Sequence, residues 1–258
     1  MTQRRTGTHE WSSISVNCQI GCKHNCLYCY ARAGALRRRL IKTPEEWKTP
    51  RKRKTIDTPY RLPDGRIMTP STHDVCPENV DLFISIIRPW LELGNEVLIV
   101  SKPHLEVIKR LCDDLTPFKG QITFRFTIGS IDQDVLDFWE RDAPPFLERL
   151  NCLKYTFLTG WNNSVSGEPF LDDAVYQMVN KVESYTNGTI WIGKMNDIEN
   201  RVITTKWSKE DFKYLERVQN SQTDSEIKRL YDALKGNPKI RWKDSIAEVL
   251  GLPQGEIG

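Results

Sequence analysis

Apolar and polar positions along this 258-residue chain change rhythm in a regular way. Short apolar runs of strand length alternate with longer stretches in which apolar residues recur every three or four positions. That alternation marks βα units and a parallel sheet. Trp11–Asn17 (WSSISVN) predicts a first strand leading into a cysteine-rich loop, and a helix is expected over Tyr30–Ile41. Residues 42–70, rich in Pro, Lys and Arg, read as a long loop insertion. Beyond it the pattern predicts a helix over Val80–Leu93, a strand over Glu96–Ser101, a helix over Leu105–Leu115 and a strand over Gln121–Ile128. Helices at Asp134–Arg141 and Pro145–Leu158 follow, then a strand near Asn163–Gly167, a helix over Leu171–Tyr185 and a strand over Thr189–Gly193.

These make about six βα steps by residue 200, whereas a closed eightfold barrel takes about 250 residues. The expected fold is therefore α/β, an incomplete (β/α)6-type open barrel spanning residues 10–204. Residues 205–258 read as a helical C-terminal extension with no strand. Within it, Asn237–Leu252 predicts a turn and then an amphipathic helix starting near Asp244. Its apolar face would carry Trp242, Ile246, Val249 and Leu250 and close the open side of the barrel.

Composition adds constraints. Hydrophobic residues make up 39% and aromatics 10%, enough to bury a core and to exclude a disordered chain. No apolar run reaches the roughly 20 residues of a membrane span, and the polar start MTQRRTGTHEW lacks the apolar stretch of a secretory signal. A soluble cytoplasmic protein with no membrane partner is expected; the oligomeric state is not legible. Seven cysteines, four of them between positions 18 and 29, then point to metal binding or redox chemistry, not to disulfides.

Charge is unevenly placed. Between Arg32 and Lys54 lie ten basic and two acidic residues, a local net charge of +8 within a total of +3. Concentrated charge of one sign suits a polyanionic partner. Arg51, Lys52, Arg53 and Lys54, with Trp47 before them and Tyr60 and Arg61 after, combine phosphate-tracking cations with rings that stack on bases. DNA or RNA is the expected partner; a solvated loop flanking the barrel mouth is the plainer alternative.

The candidate chemistry lies in NCQIGCKHNCLYCYAR. Of its four cysteines, Cys22, Cys26 and Cys29 have the spacing C-x3-C-x2-C. Zinc sites usually use paired C-x2-C motifs, and no second pair exists, although His24 and His9 leave a mixed zinc site open. Three thiolates on a short loop instead suit a four-iron four-sulfur cluster with one iron lacking a protein ligand, a position where a small molecule can bind. Cys18, Cys112 and Cys152 are too scattered for a second cluster.

This spacing, with Tyr28 before the last cysteine, resembles the motif of the radical S-adenosylmethionine superfamily. The resemblance implies a cluster on Cys22, Cys26 and Cys29. It also implies S-adenosylmethionine as cofactor, cleaved to a 5′-deoxyadenosyl radical, and a reductant such as flavodoxin or ferredoxin. Tyr28 would pack by the adenine. The form GCKHNCLYCYAR is similar to the spore photoproduct lyase-like (DNA repair photolyase-like) branch, and weaker likenesses extend over roughly residues 14–172. By that resemblance Lys102 would meet the cofactor carboxylate, and Thr127 and Ser130 would lie near the ribose or methionine. Glu140 and Arg149 would belong to the same cofactor site.

Each has a plainer reading: Lys102 as a strand end, Thr127 and Ser130 as helix caps, Glu140 and Arg149 as a structural ion pair. The branch's hydrogen-donor cysteine falls near Ser71, while this chain has Cys76 nearby, offset. Cys76 is a candidate hydrogen donor or a packed thiol, and His73 and Asp74 are candidate polar neighbours. Three functions remain open. The first is a radical enzyme acting on a nucleic-acid base, in repair or modification. The second is a radical enzyme acting on a small metabolite or peptide. The third is a non-catalytic, metal-stabilised nucleic-acid-binding module.

Overall fold

A computed structural model describes residues 7–54, 56 and 65–253; Tyr60 and Arg61 lie outside the described residues. The strands are β1 (Ile14–Ser15), β2 (Gln19–Ile20), β3 (Arg51–Lys52), β4 (Ile67–Thr69), β5 (Val97–Ser101), β6 (Ile122–Thr127), β7 (Asn162–Gly167), β8 (Ile190–Ile192) and β9 (Ile240–Trp242). Seven of them form one all-parallel sheet in the order β1-β4-β5-β6-β7-β8-β9. Because each new strand adds at the same edge, the sheet curls into a half-barrel, with β1 and β9 as its two edges. Beside it, β2 pairs antiparallel with β3.

The helices are α1 (Tyr30–Arg37), α2 (Val80–Glu92), α3 (Leu105–Asp114), α4 (Gln133–Trp139), α5 (Phe146–Leu158), α6 (Val175–Val182), α7 (Ile198–Arg201), α8 (Lys209–Ser221), α9 (Asp224–Leu234) and α10 (Asp244–Leu250). No helix among the described residues is long and apolar enough to cross a membrane.

Strand alternation sorts side chains between two cores. In β6, Phe124 and Phe126 join Val107, Leu111, Ile87 and Trp90 of the helical layer. Arg125, between the two phenylalanines, points into the half-barrel. Its guanidinium lies 4.6 Å from the Trp11 ring and 5.3 Å from the Trp191 ring, and its Nε donates to Ser164 Oγ at 2.9 Å. This cation–π stack floors the barrel.

Two expectations are corrected. Residues 42–70 are not all loop: they contribute β3 and β4, and β4 takes a place in the main sheet between β1 and β5. The C-terminal extension contains a strand as well as helices, since β9 pairs with β8. Each of these strands is three residues or fewer, too short to show a period. Of the apolar face expected for the C-terminal segment, Ile246 is fully buried, and Trp242, Val249 and Leu250 pack against the core.

Lys243, just past β9, is fully buried and fills the open side. Its ammonium stands 2.9 Å from Glu10 and 3.3 Å from Glu168, donates to the Gly7 carbonyl at 2.8 Å, and lies 4.1 Å over the Trp11 ring. Gly193 makes room for it: a Cβ there would lie 2.8 Å from Lys243 Cγ. With one ammonium between two carboxylates, burial pushes the Glu10 carboxyl up to about 7 and raises that of Glu168. An acid with a raised folded-state pKa contributes stability that is complete below its unfolded value and is lost as pH rises through the folded value. The fold should therefore lose stability as pH climbs from 4.5 to about 7. In urea titrations at the two ends of that window, Glu10→Gln should flatten this slope; an unaltered slope would show Glu10 ionised throughout.

Candidate functional site

The cysteine loop follows β2 and ends at α1, and its path depends on two unusual backbone positions. Gly21 has φ +101°, and a Cβ there would stand 2.8 Å from the Trp47 carbonyl oxygen and 2.9 Å from Pro50 Cα, so only glycine fits. Asn25 is left-handed, with φ 48°. Cys22 N donates to Trp47 O at 2.9 Å, and Leu27 N donates to Trp139 O at 2.8 Å. Cys29 caps α1, its sulfur accepting from Arg32 N at 3.4 Å. The loop is thus tied to the 44–48 turn on one side and to α4 on the other.

At the carboxyl ends of the strands lies a cavity of about 430 Å³, and Cys22, Cys26, Cys29, Tyr28, Lys102 and Thr127 line it. This is the end of a parallel barrel where sites are built. Burial pushes the Cys26 thiol up to about 12, with Lys102 acting against the rise. Burial and then Asp74 raise the Cys22 thiol well above its usual value, and burial raises Cys29. Such thiols ionise only against a strongly positive centre. All three line this cavity, and no fourth cysteine among the described residues lines it. That donor set fits an iron–sulfur cluster with one open position.

Lys102 follows β5, and its ammonium stands 3.8 Å from Asp74, 4.0 Å from Glu140 and 5.8 Å from the centre of the Tyr28 ring. Burial opposes its charge more strongly than any one neighbour favours it, but Asp74 together with Cys26, Tyr28 and Glu140 outweighs burial and holds its pKa well above the usual lysine value. Asp74 is likewise kept ionised despite burial, by Lys102 and His24. It accepts from Lys102 N at 2.7 Å, Ser101 Oγ at 3.1 Å and His24 Nδ1 at 2.9 Å.

Behind the cavity wall, the Tyr28 hydroxyl donates to Glu140, which is ion-paired with Arg149. Both charged side chains are fully buried. Arg149 also donates to Pro144 O at 2.7 Å and Thr127 O at 3.2 Å. Glu140 and Arg149 therefore come together as the ion pair of their plainer reading and do not line the cavity; their link to it is through Tyr28 and Thr127. Ser130 is buried to one side, donating to Asp172 and accepting from Asp132 N at 2.9 Å. Thr127 and Asp74 line the cavity, whereas Cys76 does not. The Cys76 sulfur faces His24 Nε2 at 3.4 Å.

In the basic stretch, Arg51, Lys52 and Lys54 are exposed and Arg53 is half-buried, its backbone N–H donating to Cys18 O at 3.0 Å. Trp47 is not displayed with them. It is 2% exposed, packed on Ala31, Ala35 and Ile41, so it walls the cysteine loop and offers no stacking surface to a base. Sequence reading missed Tyr30, Glu168, Lys194 and Arg201, which also line the cavity. Glu168 and Lys194 come just after β7 and β8, and their place at strand ends was the available signal.

No family model and no curated protein matches the chain. Solved structures do. A variant of spore photoproduct lyase with bound AdoMet and dinucleoside spore photoproduct superposes with a TM-score of 0.53 at 16% identity, over 88% of this chain and 75% of that one. Spore photoproduct lyase complexed with dinucleoside spore photoproduct gives 0.52 at 16% identity, over 87% and 74%. Streptococcus suis SuiB bound to S-adenosylmethionine gives 0.50 at 12% identity, over 92% of this chain and 49% of SuiB. At these identities the likeness concerns the fold: the chain has the partial-barrel fold of the radical S-adenosylmethionine enzymes, in a form similar to spore photoproduct lyase.

Proposed function

We propose that the chain is a radical S-adenosylmethionine enzyme. The observation that carries this reading is that Cys22, Cys26 and Cys29 line one strand-end cavity together with a lysine kept charged. When bound, a four-iron four-sulfur cluster reduced by a flavodoxin- or ferredoxin-class donor supplies the electron that cleaves S-adenosylmethionine to a 5′-deoxyadenosyl radical. The chain's own residues hold and orient. The three thiolates ligate the cluster. Lys102 meets the cofactor carboxylate, with Asp74 fixing its position. Tyr28, held through its hydroxyl by Glu140 and Arg149, gives the adenine a rigid wall. Thr127 offers a hydroxyl at the same cavity.

For the substrate we favour a base in DNA or RNA. Arg51, Lys52 and Lys54 are exposed on the segment that β2–β3 pairing fastens to the cysteine loop, so a bound phosphate backbone would run past the cavity mouth. A base in a duplex would have to leave the stack to enter.

Electron paramagnetic resonance of the anaerobically prepared, reduced protein tests the enzyme reading. A cubane signal whose g-values move on adding S-adenosylmethionine, with 5′-deoxyadenosine formed, is expected, and Cys26→Ser should abolish both. A chain that takes up no cluster would leave only the metal-stabilised binding module. Replacing Arg51, Lys52 and Lys54 together by alanine should flatten the salt dependence of nucleic-acid binding by about 2–3 in the slope of log K against log[salt]. An unchanged slope would direct attention to a small metabolite or a peptide.

A further inference from the structure

The cysteine loop carries a histidine that the cluster chemistry does not use. His24 lies between Cys22 and Cys26 and is 1% exposed. Its Nδ1 faces Asp74 Oδ2 at 2.9 Å. Its Nε2 faces His104 Nε2 at 2.9 Å and the Cys76 sulfur at 3.4 Å. On the far ring, His104 Nδ1 is turned to Glu148 Oε1 at 3.8 Å. His24 thus presents Nδ1 to a carboxylate at hydrogen-bond distance, His104 Nδ1 lies farther from its carboxylate, and the two Nε2 atoms face each other with a thiol alongside.

The Asp74 carboxylate at 2.9 Å from Nδ1 favours the His24 tautomer with the proton there, leaving a lone pair on Nε2. That lone pair faces His104 Nε2 at 2.9 Å and the Cys76 sulfur at 3.4 Å. A cation shared by the three atoms would use it, and carboxylate–histidine–metal triads use this orientation. The spacings agree. Tetrahedral zinc, with Zn–N of about 2.0–2.1 Å and Zn–S of about 2.3 Å, separates its nitrogen ligands by about 3.3 Å and nitrogen from sulfur by about 3.6 Å. The distances here, 2.9 and 3.4 Å, need shifts of only a few tenths of an ångström. The three donor atoms lie within 4.8 Å of one another.

We infer that His24 Nε2, His104 Nε2 and Cys76 Sγ form a mononuclear zinc site, separate from the three-cysteine cluster site, with water as the fourth ligand. Two imidazoles and a thiolate are the donors of a borderline-soft divalent ion. His24 comes from the cysteine loop, Cys76 from the segment before α2, and His104 caps α3 after β5. The ion therefore staples the loop to the ends of the neighbouring barrel elements. This assigns Cys76 to metal ligation, not to hydrogen donation in the cavity.

The test is metal analysis of anaerobically purified protein with zinc added, together with zinc X-ray absorption spectroscopy. The expected result is one zinc per chain, with two nitrogen ligands and one sulfur. Cys26→Ser should lose the cluster iron and keep the zinc. His104→Gln, shown by circular dichroism to be folded, should lose the zinc, and Cys26→Ser/His104→Gln should lose both metals. Failure to take up stoichiometric zinc would overturn the site. So would zinc that survives His104→Gln but disappears with Cys26→Ser, because the ion would then sit on the three cysteines. Iron and zinc are read separately, so failure of this site leaves the radical-enzyme reading standing, and the reverse also holds.

Discussion

Replacing Arg149 by methionine should destabilise the protein by about 3–5 kcal/mol, the cost of leaving a buried carboxylate without its cation. Glu140 and Arg149 are fully buried side by side. Arg149 and then Lys102 keep the Glu140 carboxyl ionised against burial. With Arg149 gone, Lys102 at 4.0 Å is a distant substitute, which places the effect towards the lower end of that range. Urea unfolding of the parent and the variant measures it. Glu140→Leu/Arg149→Met should recover much of the loss, because both charges leave together and apolar groups pack in their place. A single variant within about 1 kcal/mol of the parent, the scale of an exposed pair, would mean the two side chains are not the clamp described. Glu140→Leu/Arg149→Met also frees the Tyr28 hydroxyl, so its cofactor affinity should fall even though stability is recovered.

Lys102→Met should weaken S-adenosylmethionine binding by roughly 10–100-fold, since a hydrogen bond to a charged group contributes about 1.5–3 kcal/mol. The expectation follows from placement: an ammonium at the cavity wall beside the three cysteines, held protonated by Asp74. Equilibrium dialysis of the reconstituted protein reads the affinity. The resonance of the cluster without cofactor should persist in the variant, which separates lost binding from a lost cluster. Unchanged affinity would reduce Lys102 to a counter-ion for Asp74.

Legibility followed the range of each interaction. The long elements were readable because their apolar faces repeat within one window: β5, β6, α2, α3 and α5 lie within a residue or two of their expected bounds. The three-residue strands β4 and β9 were not, because their neighbours across the sheet stabilise them and no local period records that. The three-cysteine motif was readable because its cysteines are close in sequence. His104 is eighty residues from His24, and only folding brings their rings together.

By itself, the sequence determined the frame of this protein: a run of βα units, an open barrel, a three-cysteine loop near its start and a strongly basic segment after it. Each of these rests on composition or on spacing shorter than a helix, which a linear chain carries directly. The tertiary structure decided what each charged or polar group faces. It buried Trp47 under the cysteine loop, set Glu140 and Arg149 behind Tyr28 instead of in the cavity, turned Cys76 towards two histidines, and filled the open side of the barrel with Lys243. Burial and charge pairing depend on partners far along the chain, so side-chain roles at the site follow from the closed fold and not from the order of the residues.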